Sequence, residues 1–215
     1  MHEVIREIGE AGVVLVVRGK SAEAVLPGIE AVVAGGIRVV EITFTVPDAP
    51  SVIRKVLQAL GSKVLVGAGT VLTPLEAVTA VNAGAKFVVA PNTNLDVIAI
   101  CRELNVPVVP GALTPTEIAA AWAAGAEVVK VFPASVVGPA YLKAIHGPLP
   151  QVRLLPTGGV DAKTAGEFIK NGAFALGVGG KLFDEELLLA KKYAEMTARA
   201  QELVAAVVAA RGAKK

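Results

Sequence analysis

One lysine interrupts an otherwise apolar run, Glu127-Val-Val-Lys130-Val-Phe-Pro133. Its valines, its phenylalanine and its brevity mark a buried strand that proline ends. Taking an ammonium out of water is costly unless the group is paired or neutralised, so burial favours the neutral amine, a nucleophile toward carbonyls. Two readings fit the run by itself: Lys130 faces the interior as that nucleophile, or it lies on the outer parity of the strand and snorkels to water. A second ionisable residue, Glu41, interrupts a second apolar run, Ile37-Arg-Val-Val-Glu41-Ile. If the two met, the carboxylate would serve as a base beside the amine, or the pair would be a buried ion pair that only specifies the fold.

Glycine gathers at two further places, Pro156-Thr157-Gly158-Gly159 and Gly177-Val178-Gly179-Gly180-Lys181. Such turns leave backbone N–H groups open to an oxyanion such as phosphate. Close packing of a strand on a helix asks for glycine too, but two such ends in neighbouring units favour phosphate. Lys181 either adds a charge to that site or is simply solvated.

These residues need a frame to hold them. The chain has 215 residues, 53% hydrophobic and 19% charged, which is ample material for a core. Mean hydropathy is high at +0.61, yet no apolar run reaches the roughly 18–20 residues that span a bilayer. The start, Met1-His-Glu-Val-Ile-Arg-Glu, lacks the basic region of a secretion signal, so a cytoplasmic location and no membrane contact are expected. Twenty-one basic against 19 acidic residues leave a net charge of +2, with no basic run to suggest nucleic acid. A single cysteine, Cys101, excludes an intrachain disulfide and a cysteine-cluster metal site, and its isoleucine neighbours suggest packing. His2 and His146 stand in unrelated contexts, so no histidine-based metal site is expected.

Short β-branched runs recur every twenty-odd residues, the size of one strand–helix unit. They cover residues 13–17, 37–42, 64–66, 87–90, 106–109, 128–132, 152–155 and 173–178. Helical segments at 22–34, 49–60, 74–83, 95–104, 115–124, 139–145 and 162–170 alternate with them. A short helix precedes the first strand, and a long one, roughly 185–210, follows the last. Thr73-Pro74 and Thr114-Pro115 read as an N-cap followed by proline in the first turn, and Ala-Gly pairs at 34–35, 83–84 and 124–125 read as helix ends. Eight evenly spaced strands with no linker predict one α/β domain over residues 1–215, a compact single (β/α)8 TIM barrel rather than an open doubly wound sheet.

In such a barrel the chemistry lies at the C-terminal ends of the strands. There the sequence places Arg18, Thr45, Thr70, Pro91, Phe132 and both glycine-rich turns. Lys130 and Glu41 fall on strands six and two, four apart in a ring of eight and so facing each other across it. Both strands are even-numbered, which allows their inward residues to share one layer. Each ionisable group then has the partner its burial needs.

Four stretches resemble the family of 2-keto-3-deoxy-6-phosphogluconate (KDPG) and 4-hydroxy-2-oxoglutarate (KHG) aldolases. They are Gly35-Gly-Ile-Arg-Val-Val-Glu41-Ile-Thr-Phe-Thr-Val-Pro-Asp48, Val66-Gly-Ala-Gly-Thr70-Val, Val129-Lys130-Val-Phe-Pro-Ala134 and Leu155-Pro-Thr-Gly-Gly-Val160. They occur in family order, and the resemblance spans essentially the whole chain. It implies a class I aldolase, a homotrimer of barrels that needs neither metal nor organic cofactor. It also implies that Lys130 forms the Schiff base, Glu41 is the general acid/base, and Arg18 and Thr70 hold the substrate carboxylate. Thr45, Pro91 and Phe132 would line the pocket, and Thr157, Gly158, Gly159, Gly179, Gly180 and Lys181 would take the phosphate. Some members carry arginine where Thr45 stands and serine where Lys181 stands.

The substrate implied is a phosphorylated keto-deoxy sugar acid, cleaved to pyruvate and glyceraldehyde 3-phosphate. Action on 4-hydroxy-2-oxoglutarate or on the galactonate epimer stands beside it. A non-catalytic assembly subunit on the same barrel is the alternative, because the stretch 118–124 and the tail 203–210 look apolar on more faces than one contact needs.

Overall fold

The computed structural model describes residues 1–212. A first helix, α1 (Glu3–Ala11), precedes β1 (Val13–Val17), and strands and helices alternate from there: α2 (Ala22–Ala34), β2 (Val39–Thr43), α3 (Ala49–Leu60), β3 (Leu65–Gly69), α4 (Pro74–Asn82), β4 (Val88–Val89) and α5 (Leu95–Glu103). The second half runs β5 (Val108–Val109), β6 (Gly111–Ala112), α6 (Pro115–Ala123), β7 (Val129–Val131), α7 (Ala140–His146), β8 (Leu154–Pro156), α8 (Ala162–Lys170) and β9 (Leu176–Val178). Two more helices, α9 (Glu185–Leu189) and α10 (Tyr193–Gly212), close the described chain.

The strands form a curled parallel sheet of six, in the order β5-β4-β3-β2-β1-β9, and a parallel sheet of three, β6-β7-β8. Single bridges, Leu154 to Ala173 and Thr157 to Gly177, link β8 with the ninth strand's segment. The fifth predicted run ends on Pro110, which has no N–H to give a ladder; β5 and β6 lie on either side of it.

Strand parity sorts the core into two sets. Val13, Leu15, Val40, Ile42, Val66, Ala68, Val129 and Val131 pack outward against the helices. Val14, Val39, Leu65, Phe87, Val109, Val128 and Leu155 pack inward, with Ile5 and Ile8 of α1. All five residues of β1, β2 and β3 are buried, as expected for a parallel sheet covered on both faces. The inward set fills the interior with apolar side chains at the start of the strands, so chemistry is confined to their far ends.

Both Thr-Pro signals do what they promise. Thr73 and Glu76 form a reciprocal capping box at α4, and Thr114 and Glu117 form another at α6. The long helix expected over 185–210 is two helices. α9 ends at Leu189, Lys191 takes a left-handed backbone (φ 52°), and α10 starts afresh at Tyr193. Leu187 and Leu188 are the reason: both are buried, and Leu188 lies where a side chain on Gly28 of α2 would stand. A straight helix could not seat them there and also lay Met196, Ala200, Leu203 and Val207 on the core.

Candidate active site

β2 carries Glu41 inward between Val39 and Thr43, and β7 carries Lys130 inward between Val128 and Phe132. The Lys130 side chain is 4% exposed and that of Glu41 2%, with Nζ 3.7 Å from Oε1. That is ion-pair contact but too long for a hydrogen bond, and Glu41 Oε1 has no hydrogen-bond partner among the described residues. Burial pushes the Glu41 carboxyl up from its ordinary value; the charges of Lys130 and then Arg18 oppose it. The sheet makes room for this carboxylate with glycine: a side chain on Gly69 would sit 2.7 Å from Glu41 Oε1. Lys130 Nζ also lies 5.3 Å from the centre of the Phe132 ring.

Above this pair opens a cavity of about 740 Å³ at the C-terminal ends of the strands. Arg18, Thr45, Phe132, Thr157, Gly158, Gly159, Gly179, Gly180 and Lys181 all line it, bringing together nine residues singled out from sequence. Glu41 and Lys130 lie beneath its lining, two residues before Phe132 in the case of Lys130, and Thr70 and Pro91 do not line it either; these last two are half-buried at the ends of β3 and β4. Thr70 directly follows Gly69, the residue that touches the Glu41 carboxylate.

The glycine-rich turns have the backbone that an anion cradle requires. Gly158 (φ 93°) and Gly159 (φ 74°) are left-handed, a region where other residues are strained. Among the described residues, the N–H groups of Gly158, Gly159, Gly179 and Gly180 donate to no protein acceptor. The buried Thr157 hydroxyl beside them is likewise without a partner. A buried polar group in that state costs about 1–3 kcal/mol, which a native fold retains where a ligand supplies the missing bond.

Sequence reasoning did not single out Thr43, Asp161, Asp184, Lys20 or Glu185. Thr43 lies behind the wall, fully buried, and donates to the Val17 carbonyl at 2.7 Å while meeting Thr45 Oγ1. Its signal was available, since it lies two residues beyond Glu41 and so on the same face. Asp161 and Asp184, in the wall itself, cap α8 and α9. Lys20 and Glu185 line the wall as well.

A buried amine beside a buried carboxylate, below an anion cradle, can form an imine with a ketone and move a proton at the adjoining carbons. The sequence model of the family "Aldolase: KDPG and KHG aldolase" matches residues 4–199. The chain belongs to this family. A 2-dehydro-3-deoxy-phosphogluconate aldolase of Treponema pallidum is 34% identical over 203 residues, covering 94% of this chain and 96% of its own length. A 2-dehydro-3-deoxy-6-phosphogalactonate aldolase of Escherichia coli is 33% identical over 171 residues, 79% of this chain and 83% of the relative. Among solved structures, the KDPG aldolase of Legionella pneumophila, with pyruvate captured at low pH as a covalent carbinolamine intermediate, superposes with a TM-score of 0.86 at 29% identity. That match covers 94% of this chain and 98% of the other. As a KDPG/KHG-family aldolase the protein is a carbon–carbon lyase of the class I, Schiff-base type.

Proposed function

We propose that this aldolase cleaves 2-dehydro-3-deoxy-6-phosphogluconate, with Lys130 as the Schiff-base lysine and Glu41 as the general acid/base. One observation carries the assignment of roles: the only two buried, oppositely charged side chains of the described interior stand 3.7 Å apart below the cavity. Lys130 attacks the C2 ketone as a free amine, and loss of water gives an iminium whose nitrogen draws electrons. Glu41, as carboxylate, takes the proton of the C4 hydroxyl. The C3–C4 electron pair then moves toward the iminium, releasing glyceraldehyde 3-phosphate and leaving a pyruvate enamine. Protonated Glu41 returns its proton to C3, and hydrolysis frees pyruvate and the lysine.

Arg18, whose charge acts on Glu41, and Thr70, beside Gly69, hold the carboxylate in this reading, with Thr45, Pro91 and Phe132 along the carbon chain. Thr157, Gly158, Gly159, Gly179, Gly180 and Lys181 hold the phosphate, supported by the unused N–H groups and the unpartnered Thr157 hydroxyl. The same site takes 4-hydroxy-2-oxoglutarate, whose reacting carbons are alike. The two bridges to the ninth strand's segment and the continuity of chain through Pro110 favour reading the two sheets as one closed eight-stranded barrel. Exposed Leu72, Leu75 and Leu95 favour self-association, which we read as the homotrimer that the family resemblance implies, and a substrate that is a polyanion unable to cross a bilayer unaided favours a cytoplasmic location.

Borohydride added with pyruvate tests the central assignment. The expected result is a reduced three-carbon adduct on the peptide containing Lys130, absent in Lys130→Met. An adduct elsewhere, or none in a folded protein, overturns it.

A further inference from the structure

The cavity that holds the proposed phosphate end carries a cation with no part in that mechanism, Lys20. β1 and β9 pair in parallel through Leu15 and Val178, and the segments that follow them carry Arg18 and Lys181, both in the cavity wall. Lys20 lines the same cavity as Gly179 and Gly180. Its ammonium lies 3.0 Å from Glu185 Oε2, with the lysine side chain 85% exposed.

The carboxylates of this wall have different duties. Asp161 Oδ1 accepts from Lys163 and Thr164 N–H at the start of α8, while its Oδ2 lies 3.8 Å from Lys181. Asp184 Oδ1 accepts from Leu187 N–H at the start of α9. Glu185 caps nothing; among the described residues its carboxylate is met by Lys20 alone. An exposed pair of this kind is weak. A phosphate carries more charge and more acceptor oxygens than a carboxylate, so exchanging Glu185 for phosphate is favourable to the lysine. The flexible stem of Lys20 allows that exchange without moving the backbone.

We propose that Lys20 contacts the substrate phosphate and sets the preference for phosphorylated substrates, and that Glu185 is the counter-ion it gives up on binding. The proposal rests on the reading that the glycine ends of β8 and β9 hold the phosphate. Steady-state kinetics on 2-dehydro-3-deoxy-6-phosphogluconate and on its unphosphorylated counterpart test it, using the full-length protein and the variants Lys20→Met, Glu185→Gln and both together. The ratio of kcat/KM values for the two substrates should fall about five- to tenfold in Lys20→Met, mainly through KM of the phosphorylated one. It should rise about two- to threefold in Glu185→Gln, and the double variant should match Lys20→Met. A salt bridge that merely steadied the rim would shift both single variants in one direction, and that result overturns the proposal. So does a ratio in Lys20→Met unchanged from the wild type. A wild type that shows no preference for the phosphorylated substrate instead overturns the parent reading of the glycine ends.

Discussion

Glu41 Oε1 stands beside the Lys130 ammonium without a hydrogen bond to it, in a layer otherwise closed to water. Burial is the largest influence on this carboxyl and raises it above the ordinary 4.5; Lys130 and Arg18 pull it back down. The carboxylate is the form that accepts the C4 hydroxyl proton, so activity is lost as pH falls through that raised value. The acid limb of kcat/KM is therefore expected above the ordinary glutamate range. Arg18→Met removes one of the lowering charges and should move the limb further up, even as it weakens binding. A pH–rate profile of the two proteins checks this, and a limb that stays in place would separate Arg18 from Glu41. Glu41→Gln should still trap pyruvate on Lys130 yet cleave the aldol about 10²- to 10⁴-fold more slowly, read by single-turnover kinetics.

Strands two and three show what an element must give up to seat such a residue. Their register sets Glu41 opposite Gly67, and Gly69 next to the carboxylate itself. A side chain on Gly67 would stand 2.5 Å from ring atoms of Phe87, the largest fully buried side chain of the inward core. Gly67→Ala is thus an overpacking change inside a parallel sheet, and it should cost about 1–3 kcal/mol in urea unfolding. A loss within error would mean that Phe87 can turn aside freely. On the outer layer the elements are positioned by local chemistry instead. The capping boxes at Thr73 and Thr114 start α4 and α6 where the sequence says they start, without help from the rest of the fold.

At the scale of the whole molecule, the stretches 118–124 and 203–210 bury one face on the core and leave Ala119, Ala120, Ala123 and Val208 exposed. Ile118 and Ala121 are buried in their own domain, and Leu203, Val207 and Ala210 pack α10 onto the core. Among the described residues the exposed large hydrophobics are Met1, Leu72, Leu75, Leu95, Val136, Leu189 and Val208; three of them group together, Leu72 on the β3–α4 connection, Leu75 on α4 and Leu95 on α5, where the Asn94 amide donates to the Leu72 carbonyl. The homotrimer proposed above, if built on this patch, predicts a sedimentation mass near three times 21.9 kDa. Leu75→Glu should shift the species toward the monomer in analytical ultracentrifugation. An unchanged oligomer would place the interface elsewhere.

Much of this was legible in one dimension because it depends on neighbours in sequence. β-Branched runs mark the strands, threonine before proline marks helix starts, and a charged residue inside an apolar run marks Lys130 and Glu41. The break at Lys191 was not legible, since residues 185–210 hold neither glycine nor proline; what breaks the helix is space left by Gly28, more than 150 residues away. Nor could spacing reveal that Thr70 and Pro91 stand outside the cavity wall, or that Lys20 finds Glu185. The sequence by itself determined which side chains are costly to bury and on which strands they ride. Only the tertiary structure decided that the two costs meet, because Lys130 and Glu41 come within 3.7 Å solely through the packing that brings β7 of the three-stranded sheet up to β2 of the six-stranded one. Local pattern encodes the energy of each residue, whereas the distance between residues far apart in sequence is set by how every strand between them packs and twists.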